Sequence, residues 1–518
     1  MRAAPKCWYA EGMSESSAPP PISLARRRAI TAGLLLGMSL GALEATVVGT
    51  AMPTIITALG GLAHYSWVFA AYLLTSTATV PIWGRLSDLY GRRPIYLIGI
   101  VLFLIGSMLA GAATSMPMLI VARAVQGLGT GVLIPLSMTI IGELYTLRER
   151  PRTQALFSGM WGLASIAGPL VGGYITDAWS WRGVFYINLP FGLLGAAVIA
   201  IAYPPSHVTR KVQVDWLGAA LLVSGISTLL LALGDDTGSH VAWFAASVVL
   251  LGGFVWSAGR TAEPILPIDL LSSRVVSRSL IVVFLGGFAL FGAIAFIPLF
   301  VQTVIGGTAT QAGQVLTPLF LGWVTMSIVA ARATVKIGYR VVAIGGSFLL
   351  AAGFVGLSLL TDASTRPALF AACAVVGAGM GMQMLALLLA VQHGVDRSRL
   401  GIATSLNQFS RSIGAAVGVA VMGMLMTRAL HGVPLPRGRE VGAAAVLVLT
   451  STMRSQFAAA LHQVFLAGAI VSAAGLLAAL FLPPVDFTRG VRPNAGEELL
   501  TAEMTNLEPD DEPVTFVE

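Results

Sequence analysis

Charge is what this chain has least of. Acidic and basic residues make up only 11% of its 518 residues, against about 25% in soluble domains. Histidine occurs six times and cysteine twice. Cys7 and Cys373 lie far apart in the sequence, one in the N-terminal lead and one in an apolar stretch, and no disulfide framework or metal site follows from them. No HExxH, no Gly-x-Ser-x-Gly and no paired acids occur within apolar sequence, so the usual hydrolytic and zinc-enzyme signatures are missing. The formal net charge is +7, but the basic residues are scattered over short segments and do not form a patch for nucleic acid. No ATP-binding motif is present. The run Gly127-x-Gly129-x-Gly131 lacks the preceding strand that a nucleotide loop needs.

What is abundant is apolar sequence, 56% of the chain with a mean hydropathy of +0.82. This composition indicates a polytopic membrane protein. Stretches of about 20 apolar residues between polar breaks mark transmembrane helices. Fourteen such stretches are expected, at 29–52, 65–84, 94–113, 117–141, 153–176, 183–203, 214–234, 240–258, 279–303, 312–332, 340–361, 367–392, 402–427 and 457–482. The fold class is therefore all-α, because a lipid-exposed backbone must satisfy its own hydrogen bonds.

The basic residues set the orientation. With the N-terminus in the cytoplasm, the outer side holds only Arg182, Arg366, Arg428, Arg437, Arg439 and Arg454, and Arg123 and Arg411 fall inside spans. The remaining Lys and Arg residues all lie inside, which favours fourteen spans with both termini cytoplasmic. Residues 1–28 read as a disordered cytoplasmic lead, in which Met13 is a candidate start. Residues 29–203 form a first six-helix bundle, 214–258 two inserted helices, and 279–482 a second six-helix bundle. The outer loop 428–456 carries Pro434, Pro436 and a short apolar patch, Val441–Leu449. Residues 483–518 form an acidic, solvated tail.

A weak repeat supports the two halves. Gly84–Arg93 and Arg332–Arg340 each join two spans on the cytoplasmic side, the first closing on Gly-Arg-Arg and the second on Gly-x-Arg. Repeated halves around a midplane site characterise secondary transporters. In the first copy, Gly84 and Gly91 are expected to permit a close approach and a tight turn, and Asp88 to cap a helix or pair with arginine. Arg92 and Arg93 also satisfy the positive-inside rule.

Of the 24 acidic residues, only Glu44 falls deep within a span. It lies about 13 Å below Pro53, and Arg123 lies about 9 Å below Pro117, by helical rise. A charge in hydrocarbon costs about 2.5–3.5 kcal/mol on insertion scales. Glu44 is therefore protonated for part of its time, or faces water or a partner. Arg123 either snorkels to the outer interface or meets Glu44. In span five, Gly159, Gly168, Pro169, Gly172 and Gly173 combine a helix breaker with small packing residues, which suggests a gating element. Gln126, Asn188, Gln302, Asn407, Gln408 and Arg411 are candidates for a polar cavity lining.

Together these motifs resemble the major facilitator superfamily, in particular its fourteen-helix drug:proton antiporter branch. The resemblance covers residues 29–482. Gly84–Arg93 is similar to the superfamily's cytoplasmic gate motif, with Asp88 and Arg92 at its charged positions and Glu143 as an accessory. Arg123-x-x-Gln126-Gly127 resembles the fourth-helix motif linked to proton coupling. Gly168-Pro169-x-x-Gly172-Gly173 resembles the fifth-helix antiporter motif, and Trp181–Pro190 the segment that opens helix six. Leu43–Pro53 resembles the first-helix motif, with Glu44 in place of the usual Asp. The resemblance implies two bundles, rocking about a central cavity in a cell membrane, that work as a monomer without a cofactor. It also implies export of hydrophobic, cationic drugs or toxic compounds driven by a proton gradient, with Glu44 and Arg123 as the coupling pair. Export of a lipid or an endogenous metabolite, as in antibiotic self-resistance, is the alternative. Import by symport is disfavoured by the fifth-helix motif.

Overall fold

The computed structural model describes residues 23–145, 150–204, 215–234, 239–261, 268–361, 364–395, 400–430 and 451–484. Residues 1–22 of the N-terminal lead, most of the outer loop 428–456 with its Val441–Leu449 patch, and the acidic tail beyond residue 484 lie outside the described residues, while Leu24–Arg28, expected in the disordered lead, form the first turns of α1.

Fourteen long helices occur among the described residues. They are α1 Leu24–Leu59, α2 Tyr65–Tyr90, α3 Arg92–Gly111, α4 Met116–Leu144, α5 Arg150–Ala178, α6 Asn188–Ala202, α7 Trp216–Gly234, α8 His240–Ala258, α9 Arg274–Phe300, α10 Ala309–Ile337, α11 Tyr339–Ser358, α12 Arg366–His393, α13 Leu400–Ala429 and α14 Ser451–Leu480. Short helical turns at Gly183–Tyr186 and Ile268–Leu271 precede α6 and α9, and a π turn, Val301–Ile305, extends α9. Each apolar stretch read from the sequence coincides with one long helix. Ten are long and apolar enough to cross a membrane, eleven if α1 is counted across its 40° bend between Glu44 and Thr46. At that bend the Thr46 hydroxyl donates back to the Leu43 carbonyl at 3.0 Å, a side-chain bond of the kind that bends helices.

The helices outrun their apolar stretches. Gly84–Tyr90, read as part of a loop, continues α2 as helix, because nothing in it breaks the helix before Gly91. Gly91 has φ 91° and makes the whole turn between α2 and α3, and Gly338 has φ 82° and does the same between α10 and α11. Only glycine enters this region without steric cost. The two halves of the sequence repeat thus fold into the same one-residue turn.

The helices pack as two bundles. α1, α3, α4, α5 and α6 pair among themselves, and so do α9, α11, α12 and α14. α2 meets α13, and α5 meets α10, across the boundary. α7 and α8 pack on each other, and α7 packs against α2 and α13. The apolar core is continuous at one end only. There Val48, Ala51, Met52 and Ile55 of α1 pack in one cluster with Phe296, Ile297 and Phe300 of α9 and Leu316 of α10. At the opposite end, near Gly91 and Gly338, the cores are separate. Ile30, Leu34, Tyr96 and Ile140 serve the first bundle, and Val282, Tyr339, Val342 and Leu387 serve the second. The molecule is closed at one end and divided at the other.

Candidate functional site: a buried ion pair in the first bundle

Glu44 on α1 and Arg123 on α4 meet in a direct salt bridge, with each side chain only 1% exposed. A dense set of hydrogen bonds surrounds the pair. Arg123 Nη1 donates to Glu44 Oε1 and to Gln126 Oε1 at 2.7 Å, and Nε donates to the Val68 carbonyl at 3.3 Å. The guanidinium lies over the Tyr72 ring, 4.3 Å from its centroid, a cation–π contact strengthened by desolvation. Asn188 Nδ2 donates to Glu44 Oε2 at 2.8 Å and to Ser107 Oγ at 2.9 Å. Ser107 also accepts from Gln126 Nε2 at 3.3 Å and donates to the Phe185 carbonyl at 2.8 Å. Tyr72 accepts from Thr130 at 3.1 Å.

Five helices thus supply one closed network. These bonds are what make a desolvated pair tolerable, since removing one partner of a buried pair typically costs about 3–5 kcal/mol. The site also explains the Trp181–Pro190 segment. Trp181 and Phe185 pack edge-on at 6.3 Å, and Arg182 donates to the Ala113 carbonyl at 3.0 Å. This corner holds the start of α6 against α3 and delivers Asn188 to Glu44. Gln126 and Asn188 were candidates for a cavity wall. They are instead sealed in the core, at 0% and 2% exposure, because the ion pair needs them as partners.

The second bundle has a reduced counterpart. Gln383 on α12 donates to Ser347 on α11 at 2.7 Å, as Gln126 does to Ser107. One helical turn earlier, where α4 has Arg123, α12 has Met380, fully buried. Gln302 is no cavity group either: it lies in the π turn and donates to the Thr50 carbonyl of α1 at 2.9 Å. Asn407 is buried, Gln408 exposed and Arg411 partly buried.

At the divided end, Arg92 Nε donates to Glu143 Oε1 at 3.0 Å and Arg92 Nη1 to Ser87 Oγ at 2.5 Å. Tyr203 donates to Glu143 Oε2 at 3.5 Å. Burial, and then the nearby Glu143 carboxylate, hold the Tyr203 phenol above its ordinary range, so it stays a donor. Arg93 donates to the Ala200 carbonyl. These bonds all lie within the first bundle. The Asp88 side chain lies outside the described part of the structure. Gly84 permits no close approach, since a Cβ there would meet nothing within 4 Å.

The α5 glycines differ among themselves. Gly159 is exposed, and a Cβ there would also meet nothing within 4 Å. Gly168 and Gly172 face Thr46, Val47 and Thr50 of α1. Gly173 abuts the backbone of Ala309 and Thr310, and the Pro169 carbonyl abuts Gly313 of α10. Here the two bundles touch through backbone. One turn further on, Asp177 seals the contact. Its carboxylate accepts from Ala309 N at 3.2 Å, Thr310 N at 2.8 Å and Thr310 Oγ1 at 2.6 Å. Sequence pattern alone does not single out Asp177, Tyr72 or Ser107. Tyr72 lies seven residues into α2, as Arg123 does into α4, so equal depth from the same end was a usable signal.

An all-helical membrane chain of two linked bundles, with a sealed ion pair in one of them, has the build of a transporter rather than an enzyme. The profile of the Major Facilitator Superfamily matches residues 34–419, and the chain belongs to that superfamily. The multidrug transporter protein MdtP of Bacillus subtilis (strain 168) is 34% identical over 507 residues, covering 89% of this chain and 94% of the relative. Multidrug resistance protein 3 of the same organism is 36% identical over 408 residues, covering 77% and 79%. Efflux pump dotC of Dothistroma septosporum is 34% identical over 409 residues, covering 75% and 68%. Among solved structures, a D-xylose-proton symporter shares the fold with a TM-score of 0.60 at 16% identity, covering 88% of this chain and 97% of that one. An auto-inhibited POT family peptide transporter does so with a TM-score of 0.61 at 14% identity, covering 88% and 96%.

Proposed function

We propose that the protein exports hydrophobic compounds across the cell membrane in exchange for protons, by alternating access of its two bundles. All fourteen helices span the bilayer in this reading, α7 and α8 as an insertion, with both termini cytoplasmic. The distribution of Lys and Arg supports that topology, and the multidrug relatives support export. The divided end, with Arg92 and Arg340, is then the cytoplasmic one, and the molecule faces inward.

The observation that carries the reading is the Glu44–Arg123 pair. Glutamate can be neutralised by a proton, whereas a guanidinium cannot lose its charge in a protein. Protonating Glu44 strands a buried cation at a cost of about 3–5 kcal/mol, enough to shift a two-state equilibrium by roughly two to three and a half powers of ten. Rearranging the bundles so that Arg123 gains water or another partner relieves this cost. The proton enters from the outside when the Asp177 end opens, and leaves when that end is shut and the pair re-forms. Because Arg123 and Asn188 occupy both oxygens of Glu44, the carboxylate is not a lone anchor for a cationic drug.

Proteoliposome efflux of a panel of hydrophobic dyes, with and without an imposed pH gradient, tests the coupling. The gradient should accelerate efflux by the wild type and leave Glu44→Gln unaffected. Wild-type efflux indifferent to the gradient would refute coupling, and gradient-driven efflux in Glu44→Gln would place it at another residue. Labelling of a cysteine at Asp235 from outside the cell checks the span count.

A further inference from the structure

Among the described residues of the second bundle there is no acidic side chain. On α13, Asn407, Gln408 and Arg411 stand four and three positions apart and share one helix face. Thr404, seven residues before Arg411, lies on that face too and accepts from Gln392 of α12 at 3.0 Å. The face therefore looks towards α12 along two turns. Arg411 Nη1 lies 3.4 Å from Met384 Sδ of α12, and its Nη2 donates to Gln408 Oε1. α13 packs chiefly on α9 and α2, not on α12, and Arg411 and Gln408 keep accessible surface.

The arrangement is rich in donors and short of acceptors. Among the described residues Arg411 has no carboxylate partner, and its only acceptors are a thioether and a neutral amide oxygen. Asn407, 4% exposed, has a buried Nδ2 with no acceptor. Gln383 Oε1 supplies none, because it is packed against Gly286. Glu44 is fully used in the first bundle. A partly desolvated guanidinium beside an unsatisfied amide donor calls for an acceptor, and the charge calls for an anion. Phe320 and Trp323 of α10 stack with centroids 6.3 Å apart, and Gly381, one turn before Met384, abuts the Trp323 backbone.

We propose that Arg411, with Asn407 beside it, receives an acidic group (carboxylate, sulfonate or phenolate) on an otherwise hydrophobic substrate. Amphipathic organic anions are thus the favoured class over neutral or cationic compounds of the same shape. The inference rests on the export reading, but its test is a binding measurement that needs no proton gradient, so the two fail separately.

Binding of radiolabelled 1-naphthoate, methyl 1-naphthoate and 1-naphthylmethylammonium to the purified full-length protein by scintillation proximity compares one ring with three charges. The wild type should prefer the carboxylate over the ester by about ten- to a hundredfold, the range of a charge-assisted hydrogen bond. Arg411→Gln should reduce that preference to near unity while retaining ester binding, and Arg411→Lys should keep part of it. Equal binding of the three probes, preference for the ammonium, or no saturable naphthoate binding by the wild type overturns the proposal. A preference that survives Arg411→Gln does so too, as does loss of all three probes in both variants, which a purely structural role predicts.

Discussion

Replacing Asp177 with asparagine should open the end of the molecule that is now closed. The carboxylate takes three donors from α10, namely Ala309 N, Thr310 N and Thr310 Oγ1, at 3.2, 2.8 and 2.6 Å. α10 does not need it to begin as a helix. Its own capping box, Thr308 with Gln311, is complete. The Asp177 bonds therefore act between the bundles. Asparagine keeps one carbonyl oxygen but loses the second acceptor and the charge facing a helix N-terminus. Caps contribute about 0.5–2 kcal/mol, and a charge at a helix end about 0.3–1 kcal/mol. A net loss of about 2 kcal/mol corresponds to roughly a 30-fold shift in the open-to-closed ratio. Thr310→Val removes only the hydroxyl, and at about 1 kcal/mol should shift the ratio roughly fivefold. Spin labels at Trp179 and Ala368, both exposed, with Cys7 and Cys373 replaced by serine, read the ratio as a distance distribution. A long-distance population that does not rise in Asp177→Asn, or that rises more in Thr310→Val, would refute the reasoning.

The other expectations concern glycines. A Cβ at Gly173 would lie 2.5 Å from the Ala309 carbonyl oxygen and 2.6 Å from Thr310 Cα, backbone that cannot turn aside. Gly173→Ala should thus lengthen the same spin-label distance and slow transport. Gly159→Ala, in open space, should leave transport unchanged and raise thermal stability by up to about 1 kcal/mol. Gly338→Ala places a methyl group in empty space but at φ 82°, so a loss of about 1–2 kcal/mol in unfolding measurements would come from backbone strain alone.

The parts legible in the sequence are those that depend on one helix at a time. Polar breaks located every long helix, because apolar length is a property of the segment itself. Glu44 and Arg123 stood out because a charge in apolar sequence is rare, and helical rise put them at similar depth. Asn188 and Gln126 were visible as polar residues, but whether they face a cavity or a core depends on how five helices meet. The Asp177 contact was hidden for a different reason: two of its three donors are backbone amides, which every residue except proline possesses. The helix over Gly84–Tyr90 was obscured by its polarity, which ends an apolar run without ending a helix.

The tie between the bundles has an evolutionary consequence. Tyr65 donates to the Ala295 carbonyl, Gln302 to the Thr50 carbonyl, and Asp177 accepts from the amides of Ala309 and Thr310. In each case one partner belongs to the main chain. A substitution can delete such a bond from one side, but almost no substitution on the other side can delete it or compensate for it. Related sequences should therefore vary at these positions without matched changes at their contacts. Inference of contacts from correlated substitutions will underestimate this interface, while saturation mutagenesis should show strong sensitivity at Tyr65, Asp177 and Gln302.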